Sequence, residues 1–225
     1  MEEEMSNEVF KLEGDGRTIT VTEKQKYKQT PIEQQPLDTL LFIPGLWING
    51  KYLWLHDCTE KVFNEEEIII RVKQEQPHSK IRFSSIYISN HSKEVKQLKM
   101  LAMHYYPNVI QDNIAFVSPT DNRIFHLANN NIYMVNGDYN GVGMKEYTAM
   151  PQWNVFTDRI WSSVQKGNLN YYPMVKSPAA SIFTINMTLG SHEIGKMNTW
   201  TIIGSNKTDI LSMEQALLKQ IERSR

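Results

Sequence analysis

Chemistry in this 225-residue sequence would have to come from six histidines, one cysteine and a large supply of aromatic rings. The histidines are scattered singly, with no H-x-x-E-H or C-x-x-C arrangement to gather the paired ligands that zinc requires. Nothing in the pattern calls for a metal or a cofactor. His104 and His126 sit among apolar neighbours, which suits a hydrogen-bonded core or rim histidine; His126 is kept as a candidate ligand contact. Cys58 follows His56 by two residues, but that adjacency fixes no thiol–base geometry, and a half-buried thiol is the simpler reading. A serine nucleophile would want a G-x-S-x-G elbow, and Gly204-Ser205 runs on into Asn206-Lys207 without the second glycine. No catalytic pair can be assigned.

Two further polar pairs could face a groove. His192-Glu193 falls in a glycine-containing turn, and Asp138-Tyr139 falls in Asn136 to Gly143, a stretch with three glycines. No lysine or helix start follows that stretch, so a flexible surface loop is expected there in place of a phosphate cradle. Solvated turn residues explain both pairs equally well.

Aromatics are the stronger signal. Trp47, Trp54, Trp153, Trp161 and Trp200 join the pairs Tyr105-Tyr106 and Tyr171-Tyr172. Exposed rings of this kind stack on sugars or line interfaces, because one face is apolar while the indole or phenol tip still hydrogen-bonds. In Tyr171-Tyr172 both pleat directions are occupied, so one ring should point outward. The candidate ligand-binding set is Trp153, Trp161, Tyr171 and Tyr172, with His126 and Asp138 as polar contacts. Ordinary core and rim packing is the competing account.

The elements that must position these rings are strands. Leu46 to Leu55, LWINGKYLWL, is apolar on both sides of Asn49-Gly50, the pair that supplies the two positive φ values of a type I′ hairpin turn. Trp47 should then face Tyr52, and Leu46 should face Leu53. Phe10 to Val21 reads as another hairpin around Gly14-Asp15-Gly16, after a frayed acidic start at residues 1–8 and before a polar connection at 23–36. Ile68 to Val72 is a β-branched run, and the phase slip at Ser84-Ser85 indicates a bulge or a strand covered on both faces. Val95 to Tyr106 fits helical spacing as well as a doubly buried strand; the strand is favoured because its neighbours are strands. Ile114 to Val117 and Arg123 to Leu127 flank a Pro- and Asx-rich turn, and Ile132 to Val135 makes a short strand. Gln152 to Val164 carries both helical and extended spacings, so its form stays open. Phe183 to Leu189 alternates cleanly, and Trp200 to Ile203 extends again. A last helix is expected with Thr208 as cap, Asp209 at its N-terminal dipole, and Ile210, Met213, Leu217 and Ile221 as one apolar stripe.

Bulk properties remove several classes of function. Lys+Arg (24) nearly balance Asp+Glu (25), and no basic cluster stands out, so nucleic acid is not an expected partner. No run approaches the ~18 apolar residues of a membrane span. Cys58 has no second cysteine to pair with, and MEEEMSNEVF lacks the basic and apolar regions of a signal peptide, so a cytoplasmic location is expected. The sequons at Asn90, Asn186 and Asn206 would matter only in a secreted chain.

Two passages carry a resemblance. IRFSSIYISNHSKEV resembles the strand, Asn-x-Ser turn and strand common in large β-sandwiches of carbohydrate-active proteins. SIFTINMTLGSHEIGKMNTWTIIGSNKTDILSMEQALLKQI is similar to their close: an alternating strand, a Gly-containing turn, a last strand and a short helix. The family is the galactose-mutarotase-like supersandwich; similar passages also occur in immunoglobulin-like sandwiches. The resemblance implies a concave sheet that accepts sugars, and no catalytic His or Glu of the family is carried onto this chain.

The expected fold is all-β: one antiparallel sandwich domain across residues 1–225, of roughly a dozen strands, closed by a C-terminal helix. Three functions follow from different classes. The first is a non-catalytic domain binding a carbohydrate or like polyhydroxylated ligand. The second is a structural or assembly protein acting through a protein partner or self-association. The third is a sugar epimerase or lyase, which needs His104, His126 or His192 to meet a carboxylate in a groove.

Overall fold

A computed structural model of the chain describes residues 39–107 and 113–223, all within one compact unit. The chain runs through β1 (Leu41–Ile48), β2 (Lys51–Trp54), β3 (Glu60–Phe63), β4 (Ile68–His78), β5 (Ile81–Asn90), β6 (Lys96–Tyr105), β7 (Asn113–Ser118), β8 (Arg123–Ala128), β9 (Asn131–Tyr139) and β10 (Val142–Gly143). It continues through β11 (Glu146–Pro151), β12 (Trp161–Ser163), β13 (Asn168–Leu169), β14 (Met174–Ser177), β15 (Ala179–Leu189) and β16 (Ile194–Gly204) to helix α1 (Lys207–Arg223). The frayed start, the hairpin of residues 10–21, the connection at 23–36 and the full extent of a domain spanning 1–225 lie outside the described residues.

Two antiparallel sheets form a sandwich. The smaller has the order β11-β15-β6-β1-β2, and the larger β14-β7-β8-β9-β16-β5-β4-β3, with β10 paired to β9 and β12-β13 a separate ladder. The Trp hairpin forms as its turn chemistry dictates: Asn49 and Gly50 take φ of 51° and 78°, Trp47 faces Tyr52 and Leu46 faces Leu53.

Central strands are buried on both faces, which is why their sequences read as continuous apolar runs. On β6, Met100 and Ala102 face the space between the sheets, with Leu46, Phe183 and Ile185. Leu101 and Met103 face outward, with Trp54, Met150 and Ile182. This settles the stretch from Val95 to Tyr106 as strand. On β9, Tyr133 and Val135 point inward while Met134 points outward beside Phe83, Trp200 and Ile202. The slip at Ser84-Ser85 is likewise two-sided coverage, since β5 pairs regularly there with both β4 and β16; the irregularity falls between Glu75 and His78.

Each outward apolar face has its own cover. Helix α1 lays Ile210, Leu217 and the half-buried Met213 and Ile221 on the larger sheet, against Phe83, Phe125, Met134 and Trp200. Burial of Ile210 and Leu217 contributes about 2 kcal/mol each. The stripe also holds Glu214, fully buried, whose carboxylate accepts from Arg123 Nε at 2.6 Å, Asn136 Nδ2 at 2.8 Å and Trp200 Nε1 at 3.1 Å. A buried charge is tolerable only with such a full set of donors. The expected Thr208 cap is corrected: Asn206 Oδ1 accepts from the Asp209 amide at 2.9 Å, and Thr208 lies inside the helix.

The smaller sheet is covered by residues 152–170, the segment whose form the sequence leaves open. It contains two short 3-10 turns, Gln152–Asn154 and Asp158–Ile160, followed by the β12-β13 ladder. The expected flexible loop from Asn136 to Gly143 is also corrected. β9 runs on to Tyr139, Asn140 and Gly141 turn with φ of 52° and 81°, and β10 returns. The expected short strand of Ile132 to Val135 is therefore part of the first half of a nine-residue one.

Candidate binding groove

The cover over the smaller sheet is held by side chains of the strands beneath it. Trp54 Nε1 donates to the Val155 carbonyl at 3.2 Å, and Trp47 Nε1 to the Val164 carbonyl at 2.7 Å. Lys99 Nζ bonds the Gly167 carbonyl at 2.7 Å and Glu146 Oε1 at 2.6 Å, while Glu146 Oε2 accepts from the Leu169 amide. Gly167 sits at φ 63° directly over the Trp47 ring, where a Cβ would lie 2.6 Å from ring carbon, so only glycine fits. The cover is irregular but anchored at both ends.

Beside it, the chain from Asn170 to Pro173 crosses from one sheet edge to the other. The Tyr172 amide donates to Thr148 Oγ1 at 3.2 Å, its carbonyl accepts from Ala149 at 2.9 Å, and the Pro173 carbonyl accepts from Val117 at 2.8 Å. These bonds satisfy the Tyr172 backbone against β11 and leave its ring half outside, 50% exposed. A groove of about 380 Å³ results. Ala149, Met150 and Pro151 of β11 form one wall, and Tyr172, Met174 and Val175 the other. Asn154, Arg159 and Asn170 supply its polar groups. That volume is within the usual range for small-ligand sites, mostly apolar with a few convergent polar groups.

Of the exposed apolar side chains, Tyr172 and Met174 line the groove, and Trp153, Phe156 and Tyr171 lie within two residues of its lining in the chain, Trp153 at 63% exposed. Tyr171 meets Tyr147 edge to face at 6.1 Å. Asn170 uses its amide nitrogen on the Arg159 and Trp161 carbonyls, both at 2.9 Å, which leaves its Oδ1 as an acceptor. Asn154, Arg159 and Asn170 were not singled out from sequence; Asx residues in a stretch of unassigned form give no signal of where they converge.

The other candidate residues lie elsewhere. Trp161 is 6% exposed because β12 folds its ring inward against Tyr52 and the sheet, so it presents no stacking face. Asp138, 9% exposed, is on a strand and not a loop, and accepts from Gly141 at 2.9 Å and Asn198 Nδ2 at 3.3 Å. His126 is fully buried between the sheets. All three are buried, and none of them lines the groove.

The histidines do not assemble a catalytic centre. His126 Nε2 lies 2.8 Å from Ser181 Oγ, yet both are fully buried and His126 Nδ1 has no partner among the described residues. A working base needs substrate access and an orienting group on its second nitrogen, and among the described residues His126 has neither. Burial holds His126 at about 3, and burial together with the nearby His126 holds His104 at about 3. His104 stacks between Phe42 and Phe183. His192 occupies an exposed turn in which Glu193 caps the Gly190 amide. Burial pushes the Cys58 thiol up, away from the reactive thiolate. Among the described residues no group of three or more His, Cys, Asp or Glu could hold a metal, and no helix is long and apolar enough to cross a membrane.

No family model matches the chain, and no curated protein matches it. Among solved structures, a human-microbiome protein described as a kojibiose phosphorylase aligns at a TM-score of 0.32 and 12% identity, over 80% of this chain and 24% of the other. The chain thus spans about a quarter of that protein.

Proposed function

We propose that this chain is a non-catalytic binding domain that takes a carbohydrate or similarly polyhydroxylated ligand in the groove beside Tyr172. The observation that carries the reading is the exposed ring of Tyr172 lining a groove that also offers Asn154, Arg159 and Asn170, with the exposed rings of Trp153 and Tyr171 adjacent in the chain to its lining residues. A sugar presents an apolar C–H face and a rim of hydroxyls; flat rings suit the first and amides and guanidinium the second. The Tyr172 ring is exposed while its own amide and carbonyl are both bonded, so little ordering of that residue remains to be done on binding.

A glycan array followed by calorimetry tests this. Binding is expected, with Tyr172→Ala or Trp153→Ala weakening it about tenfold, or about 1.4 kcal/mol. Absence of binding across the array removes the reading.

One observation favours a second reading. β14 is an edge strand whose Met174 is exposed, and it borders the aromatic cluster, as expected of a surface that pairs with another chain. Light scattering separates the two: a concentration-dependent dimer lost on Met174→Lys supports assembly, and a monomer at all concentrations supports ligand binding.

A further inference from the structure

The groove has a charge that narrows its ligand. Arg159 is the only ionisable cation or acid among the residues that line it; its other walls are aliphatic, aromatic or amide. Arg159 forms no ion pair with any carboxylate among the described residues. Its one side-chain bond is a long 3.4 Å contact from Nη1 to Asn154 Oδ1, which uses one of five N–H donors. Asp158, next to it in the chain, is engaged by the Tyr52 hydroxyl at 3.0 Å.

The backbone of Arg159 is held firmly by comparison. Its amide donates to Thr157 Oγ1 at 3.3 Å and its carbonyl accepts from Asn170 Nδ2 at 2.9 Å. A planar fork of donors on a fixed backbone, facing a groove without acids, is the geometry that captures a carboxylate bidentately.

Building on the reading of the groove as a saccharide site, we infer that its ligand is an acidic saccharide, a sugar whose ring carboxylate pairs with Arg159 while its C–H face lies on Tyr172. Neutral sugars would offer the exposed guanidinium hydroxyl acceptors but none of matching charge. Specificity for the acid comes from the charge-assisted, bidentate pair that a neutral sugar cannot make.

Calorimetry with a panel of uronate oligosaccharides, each beside its methyl ester, isolates the charge, because the ester keeps ring and stacking face and removes only the anion. The best free acid is expected to bind at least about tenfold tighter than its ester. Arg159→Gln should abolish that preference, so that free acid and ester bind alike, while the groove keeps its shape because the bonds that hold it here belong to the Arg159 backbone. Equal binding of acid and ester by the wild type, or a preference that survives Arg159→Gln, overturns this inference while leaving the saccharide reading intact. Neutral glycans bound on the array with no uronate bound does the same; no binding of any glycan overturns both.

Discussion

The two outer faces of the sandwich solve one problem in different ways. On the larger sheet a regular helix closes the apolar face, and even its buried carboxylate, Glu214, finds three donors. On the smaller sheet two 3-10 turns and a short ladder close most of the face but leave the groove at its edge. A helix satisfies its own backbone and presents a continuous stripe. An irregular cover must borrow its bonds from the sheet's side chains, as Val155 and Val164 do from Trp54 and Trp47, and it fits only where those side chains reach. The difference teaches that the less regular cover is the one that leaves an open groove at its edge.

Acid should erase the distinction, because it acts on the core that both covers share. His104 and His126 have folded pKa values of about 3 against 6.5 in the unfolded chain. Above pH 6.5 both states are neutral and stability is full; as pH falls through 6.5 toward 3 the unfolded rings take up protons and the folded rings do not. At pH 4 each ring therefore costs about 3 kcal/mol relative to pH 7. Urea unfolding against pH should show this loss, and His126→Gln should remove about half of it. A slope that His126→Gln leaves unchanged contradicts the assignment.

Glu214→Ala should strike the helical cover alone. It leaves Arg123, Asn136 and Trp200 without their acceptor, at a cost of about 3–5 kcal/mol in urea unfolding. Its effect on ligand binding in the groove should be nil at temperatures where the protein remains folded.

Trp54→Phe tests the opposite side. Losing the bond to the Val155 carbonyl should cost about 1–2 kcal/mol and speed proteolytic cleavage within 152–170, with α1 unaffected. Equal protection of both covers in this variant would undo the comparison. Smallest of all, Trp153→Ala should shift stability by less than about 0.5 kcal/mol, because the ring is mostly in solvent, while weakening ligand binding.

How much of this could be read from sequence depended on whether the deciding contacts were local. The Trp hairpin was legible because Asn49-Gly50 sets its own geometry. Asn140-Gly141 carries the same turn chemistry, with nearly the same φ pair, but among three glycines it read as a loop. Glu214 left a usable trace, one acid set at i+4 from Ile210 and i−3 from Leu217 within the apolar stripe. Trp153 and Trp161 left none: they sit eight residues apart in similar surroundings, and only the path of the cover puts one ring outside and folds the other in. Arg159 and Asn170 meet through that same path.

Amide hydrogen exchange with and without the tightest glycan from the array tests the central claim most directly. Protection is expected at 149–154, around 159 and at 170–175, with α1 and β16 unchanged. Protection confined to α1, to the β3–β4 edge or to no segment at all would show that the irregular cover is not where this protein meets its ligand.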